Sequence, residues 1–195
     1  MFETNCFASD HMKIIVVTGL PGSGKSAVAQ EIGRNKIPVI ETGDVIREEV
    51  SRQGLEMTLE TSEFVARQLR KQYGPDAPIR LIEHKLKESN PDIICVVGPR
   101  NLKEVELLSK FGKIIMIIVS SPAGARFRRV RERAKPGDPK EWERFLWRDR
   151  KEQERGMKSL LYTTKFMKLK VENRGSFSDL KSNVSRVLKQ VRKSP

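Results

Sequence analysis

The sequence predicts a three-layer α/β chain, a central five-stranded parallel sheet with helices on both faces. Three observations predict it. Short apolar runs alternate with amphipathic stretches along the whole chain. The runs are apolar on both faces, the pattern of strands buried in a parallel sheet. And the first run leads through a glycine-rich loop straight into a helix, a strand–loop–helix order that asks for a parallel crossover.

Taken in order, Lys13-Ile14-Ile15-Val16-Val17 reads as the first strand, ending at Thr18-Gly19. Lys25 to Arg34 reads as a helix. Ile37-Pro38-Val39-Ile40 is a short second strand, with proline tolerable near its start. Asp44 to Arg52 follows as a helix. The stretch Thr58 to Tyr73 carries a helical stripe of Leu59, Phe64, Val65 and Leu69. Gly74-Pro75 ends that stretch, and another helix is expected from Ala77 to Lys87. Asp92 to Val97 is the third strand, Leu102 to Lys110 a helix, and Lys113 to Val119 the fourth strand. Ser121-Pro122 predicts a helix start with serine as cap and proline in the first helical position. Lys135-Pro136-Gly137-Asp138-Pro139 must break that helix, and a charged helix is expected from about Lys140 to Lys158. Phe166 to Val171 reads as the last strand. Leu180, Val184, Val187, Leu188 and Val191 form one face of a closing helix.

The chain has 195 residues, 37% hydrophobic and 32% charged, which suits one domain over 12–195 with a core of its own. A flap is expected at about 54–76 and a lid at about 134–140. Met1 to His11 has neither a basic nor an apolar segment of the signal-peptide kind and is expected to be a disordered extension. No apolar run approaches the roughly 20 residues that cross a bilayer. Cys6 and Cys95 lie far apart and form no metal pair, so a cytoplasmic location without disulfides is expected. His11 and His84 suggest no catalytic pair. The net charge of +13 is uneven: residues 1–97 carry 12 basic and 14 acidic side chains, residues 98–195 carry 26 and 11. A basic second half points to a polyanionic partner such as RNA, to a phosphate-rich lid, or to a solvated helical surface.

Gly19-Leu20-Pro21-Gly22-Ser23-Gly24-Lys25-Ser26 matches the pattern of a phosphate-binding loop in letters and in context, since a strand precedes it and a helix follows. Its glycines let backbone N–H groups face a β-phosphate at a helix N-terminus. Lys25 would bridge the β- and γ-phosphates of ATP, and Ser26 would ligate Mg²⁺. Asp44 and Arg47 start the helix after the second strand and share one side. Arg47 suits a phosphate or carboxylate. Asp44 suits a magnesium-bound water or an attacking hydroxyl. Trp142, Phe145 and Leu146 fit a buried helical stripe, while Trp142, Phe145 and Trp147 interleaved with Arg144, Arg148 and Arg150 would also suit base stacking.

Gly-Leu-Pro-Gly-Ser-Gly-Lys-Ser, Thr42-Gly43-Asp44-x-x-Arg47 and Gly98-Pro99-Arg100 together resemble adenylate kinase and other nucleoside monophosphate kinases. The likeness is closer to a largely archaeal family of adenylate-kinase-related P-loop proteins. Its pattern runs through Ile37-Pro38-Val39-Ile40, Gly43-Asp44-Val45-Ile46-Arg47-Glu48-Glu49, Tyr73-Gly74-Pro75-Asp76-Ala77, Arg100-Asn101-Leu102-Lys103-Glu104-Val105-Glu106 and Asp138-Pro139-Lys140 to Arg148-Asp149. The resemblance implies the P-loop NTPase fold, ATP with Mg²⁺ as cofactors, and phosphate transfer to a nucleoside monophosphate or similar acceptor. It implies that Arg47 and Arg100 hold the acceptor phosphate, and that Arg126, Arg129, Arg133 and Arg148 stabilise the transferring group. The relatives' third strand usually ends in an aspartate before the glycine, where this chain has Val97. Either Asp44 alone serves the metal's outer shell, or the protein binds nucleotide with little turnover, or its ATP state governs association with RNA.

Overall fold

The five apolar runs form five strands in the order β2-β3-β1-β4-β5. These are β1 (Lys13–Thr18), β2 (Val39–Glu41), β3 (Ile93–Val97), β4 (Lys113–Ser120) and β5 (Met167–Glu172), every pair parallel. The computed structural model describes residues 12–89, 91–134 and 138–194. The extension 1–11 and the lid positions 135–137 therefore lie outside the described residues.

Side chains alternate across a strand, so β1 feeds two cores. Ile15 and Val17 enter one, closed by α1 (Lys25–Arg34) and α10 (Phe177–Lys193). Ile14 and Val16 enter the other, closed by α5 (Glu83–Ser89), α6 (Leu102–Leu108) and α9 (Lys158–Tyr162). Register sets Ile15 between Cys95 and Ile115, and Cys95 is fully buried, a small apolar filler. A third, smaller cluster forms from Val50 on α2 (Thr42–Arg52), Val65 and Leu69 on α3 (Leu59–Tyr73), and Ala77 on α4 (Ala77–Arg80). All five apolar residues expected on the closing helix are buried. At about 1.5–3 kcal/mol for each large side chain, that face anchors α10 firmly.

Several expectations shift. The second strand begins at Val39, because Pro38 has no N–H to donate; its carbonyl instead accepts from the Cys95 amide at 2.8 Å. The helix expected over Ala77–Lys87 is two, since the Ile82 amide reaches back three residues to Ile79 and tightens the chain there. Ser121 does not cap the following helix. Pro122 is the cap residue of α7 (Ala123–Arg133), and the Ser121 hydroxyl accepts from Arg129. The helix expected from Lys140 to Lys158 stops as α8 (Trp142–Glu152), and the chain kinks within Gln153–Met157 before α9. Gly156 makes that break: its φ is 129°, and a Cβ there would stand 2.9 Å from the Asn101 Cβ. Phe64 is half exposed and does not join the stripe on α3. On α8 only Phe145 is fully buried; Trp142 and Leu146 are partly exposed and Trp147 is 61% exposed.

Candidate nucleotide site

In an open parallel sheet, ligands sit outside the carboxyl ends of the strands, and β1 delivers residues 19–24 to that edge. Gly24 caps α1 with φ 98°, and a Cβ on it would fall 2.1 Å from Asn173 Nδ2. Only glycine permits both the backbone conformation and that approach.

The loop is gripped from outside. Arg126 donates to the Pro21 carbonyl at 3.2 Å and Arg129 to that of Gly22 at 3.3 Å. Asn173 donates to that of Ser23 at 2.9 Å. In a planar trans peptide the N–H points away from the preceding C=O. Fixing the Pro21 and Ser23 carbonyls outward therefore turns the Gly22 and Gly24 amides toward the hollow. Arg126 is itself held by a bidentate pair with Asp149 on α8, at 2.5 and 2.8 Å, with both side chains buried. Arg129 also donates to the Ser121 hydroxyl and to the backbone carbonyl and Oδ1 of Asn173. Two of the four arginines expected to face the transferring group, Arg126 and Arg129, thus donate to carbonyls on the outer wall of the loop.

Inside the loop, Lys25 Nζ donates to the Gly19 carbonyl at 2.7 Å and the Leu20 carbonyl at 3.3 Å. Burial pushes its pKa down to about 8; the positive Arg100, Arg133 and Arg126 add to the fall, while Glu152 opposes it. The Ser23 hydroxyl is fully buried without a hydrogen-bond partner, and the Ser26 side chain is exposed on the first turn of α1. A cation resting on its own loop's carbonyls, an unsatisfied hydroxyl and inward amides fit a bound polyphosphate. Magnesium takes few protein oxygens when phosphates supply others. The exposed Ser26 hydroxyl suits that share.

Two further arginines follow the carboxyl ends of β2 and β3. Arg47 pairs with Asp44 on the same helix and lies 3.6 Å from Glu41. Arg100, three residues past Val97, lies 3.4 Å from Glu152 at the end of α8. Arg133 and Arg148 converge on Asp138, at 2.7 and 3.3 Å. The Val97 side chain belongs to the core, and its carbonyl accepts from the Thr42 hydroxyl. Sequence reasoning missed three participants: Asn173, Asp149 as the partner of Arg126, and Glu152. Asp149 and Glu152 stand three apart, a spacing that shares a helix face, and Asn173 directly follows the last strand.

Fold and loop together define a P-loop nucleotide-binding domain of the kinase-like kind. A family model described as an AAA domain matches residues 18–145. The chain is 37% identical over 183 residues to a UPF0200 protein of Pyrococcus abyssi, covering 91% of this chain and 96% of that one. It is 34% identical over 181 residues to a UPF0200 protein of Hyperthermus butylicus, covering 93% and 96%. The chain belongs to the UPF0200 family of archaeal P-loop proteins. Among solved structures, TT1252 from Thermus thermophilus superposes with a TM-score of 0.64 at 22% identity, covering 93% of this chain and 99% of that one. Shikimate kinase from Bacteroides thetaiotaomicron superposes with a TM-score of 0.55 at 16% identity, covering 93% and 98%. Both likenesses concern the fold. Among the described residues, no helix is long and apolar enough to cross a membrane.

Proposed function

We propose that this chain is an ATP-dependent phosphotransferase of the cytoplasm, moving the γ-phosphate to a nucleoside monophosphate or similar small phosphorylated acceptor. The observation that carries the reading is Lys25, a partly buried cation resting on the Gly19 and Leu20 carbonyls, its pKa lowered by desolvation and by the nearby Arg100. Phosphoryl transfer needs positioning and charge neutralisation above all, and this edge of the sheet gathers the cations for both. In this reading Lys25 meets the β- and γ-phosphates, and Ser26 and Asp44 serve Mg²⁺. Arg47 and Arg100 exchange their carboxylate partners for the acceptor phosphate. Arg133 and Arg148 leave Asp138 for the transferring group. Arg126 and Arg129 act by holding the loop in shape.

The test is ADP formation from Mg²⁺–ATP with a panel of nucleoside monophosphates. One of them should stimulate turnover at least tenfold over ATP alone, and Arg100→Gln should raise the KM for that acceptor. A panel without effect would turn attention to a second reading, a nucleotide-dependent RNA-binding factor. Trp147 favours that reading: it is exposed on α8 beside exposed Arg144 and Arg150, a basic surface with an aromatic platform. RNA affinity that falls steeply with salt would support it.

A further inference from the structure

The closing helix α10 carries five cations, Lys181, Arg186, Lys189, Arg192 and Lys193, against a single carboxylate, Asp179. Its apolar residues all face the core, so the cations lie on the outer side, and all five are exposed. Lys181, Ser185, Lys189 and Lys193 follow one another at four-residue steps and form one ridge, about 18 Å from end to end. Asp179 is already engaged: its carboxylate accepts from the Ser176 amide and hydroxyl at the helix start.

The carboxylates on the elements packed against α10 are engaged as well. On α1, Glu31 is buried and paired with Arg34 at 2.9 Å. At the end of β5, Glu172 lies between Lys170 and Arg174, at 2.7 and 3.2 Å. Elsewhere on the surface, cations find partners, as Arg52 does in Glu49 and Arg80 in Asp76. Lys181, Lys189, Arg192 and Lys193 have no ion pair or hydrogen bond among the described residues. Like charges three and four residues apart repel, as Lys189 does with Arg192 and Lys193. An anion laid along the ridge would remove that repulsion.

We infer that the outer face of α10 docks double-stranded RNA by its backbone, without reading its bases. The apolar side of the helix is wholly used in the core, so none is left to enter a membrane surface. Lys, Arg and Ser are side chains that contact phosphate, and exposed Ser178, Ser182 and Ser185 alternate with the cations. Duplex RNA is held mostly through its phosphates and 2′-hydroxyls, the two groups that cations and hydroxyls together suit. Phe177 is the one aromatic on α10 and lies at its first turn against Arg34, so the ridge offers no row of rings for unpaired bases. The inference is independent of the nucleotide reading, and it uses a different surface from Trp147 on α8.

The test is fluorescence anisotropy of a labelled RNA duplex titrated with the full chain, without nucleotide, over a series of salt concentrations. Wild type should bind at low salt and lose affinity steeply as salt rises. A variant with Lys181→Gln, Lys189→Gln and Lys193→Gln should bind at least tenfold more weakly at low salt. Its slope of log affinity against log salt should be shallower by about 2 to 3. A second variant, with Arg67→Gln and Lys71→Gln on α3 and Lys110→Gln after α6, removes the same charge elsewhere and should stay within twofold of wild type. All six side chains are exposed, so both variants should melt as wild type does. Equal loss of affinity in the two variants overturns the inference, because net charge alone would then account for binding. So does a wild type that binds no RNA duplex, or one that prefers single-stranded RNA, duplex DNA or phosphatidylglycerol vesicles.

Discussion

Lys25 is the residue whose chemistry can be read most directly in solution. Its pKa near 8 lies well below the ordinary 10.5, with burial the leading cause. Phosphate anions would restore the charged form, so nucleotide binding should take up a proton between those two values. Uptake should be slight at pH 7 and approach one proton near pH 9, and calorimetry in buffers of different ionisation enthalpy reads it. Lys25→Met should abolish it. The Arg126–Asp149 pair gives a second residue-scale expectation. Both partners are buried, so Asp149→Asn leaves an uncompensated cation and should cost about 3–5 kcal/mol in urea unfolding. Lys25 and its loop were legible because a glycine pattern between strand and helix has one main physical use. The outward grip of Arg126 and Arg129 was not, since helical spacing tells which residues share a face and not what that face meets.

Elements were legible where periodicity alone decides them. The closing helix is the clearest case: its five-residue apolar face packs as the spacing required. Leu188→Ala should therefore cost about 2–5 kcal/mol by urea or thermal unfolding, while ATP affinity of the folded protein stays unchanged. Boundaries set by tertiary contacts were less legible. The break after Glu152 depends on Gly156 meeting Asn101, a contact between residues 55 apart in the sequence that no local window contains. The start of α7 moved because Ser121 has a better use as an acceptor for Arg129 than as a cap. The split between α4 and α5 came from the tight turn in which the Ile82 amide bonds to Ile79; Ile79, Ile82 and Leu86 enter one core at the spacing of an unbroken helix, so periodicity gave no sign of it.

At the scale of the molecule, the sheet order was open from sequence alone, because alternating strands and helices specify parallel crossovers and not which strand lies centrally. The structure puts β1 between β3 and β4, so the P-loop opens beside the end of β3 and near the helices that carry the basic second half of the chain. The uneven charge is thus partly accounted for: Arg126, Arg129, Arg133 and Arg148 surround the loop and its flank, while Arg128, Arg131, Arg144 and Arg150 are exposed. Whether the loop binds ATP is decided by calorimetric titration of wild type and Lys25→Ala with Mg²⁺–ATP. Micromolar binding weakened at least tenfold by the substitution, about 1.4 kcal/mol or more, is the expected result; no binding, or equal binding by the two proteins, would contradict it.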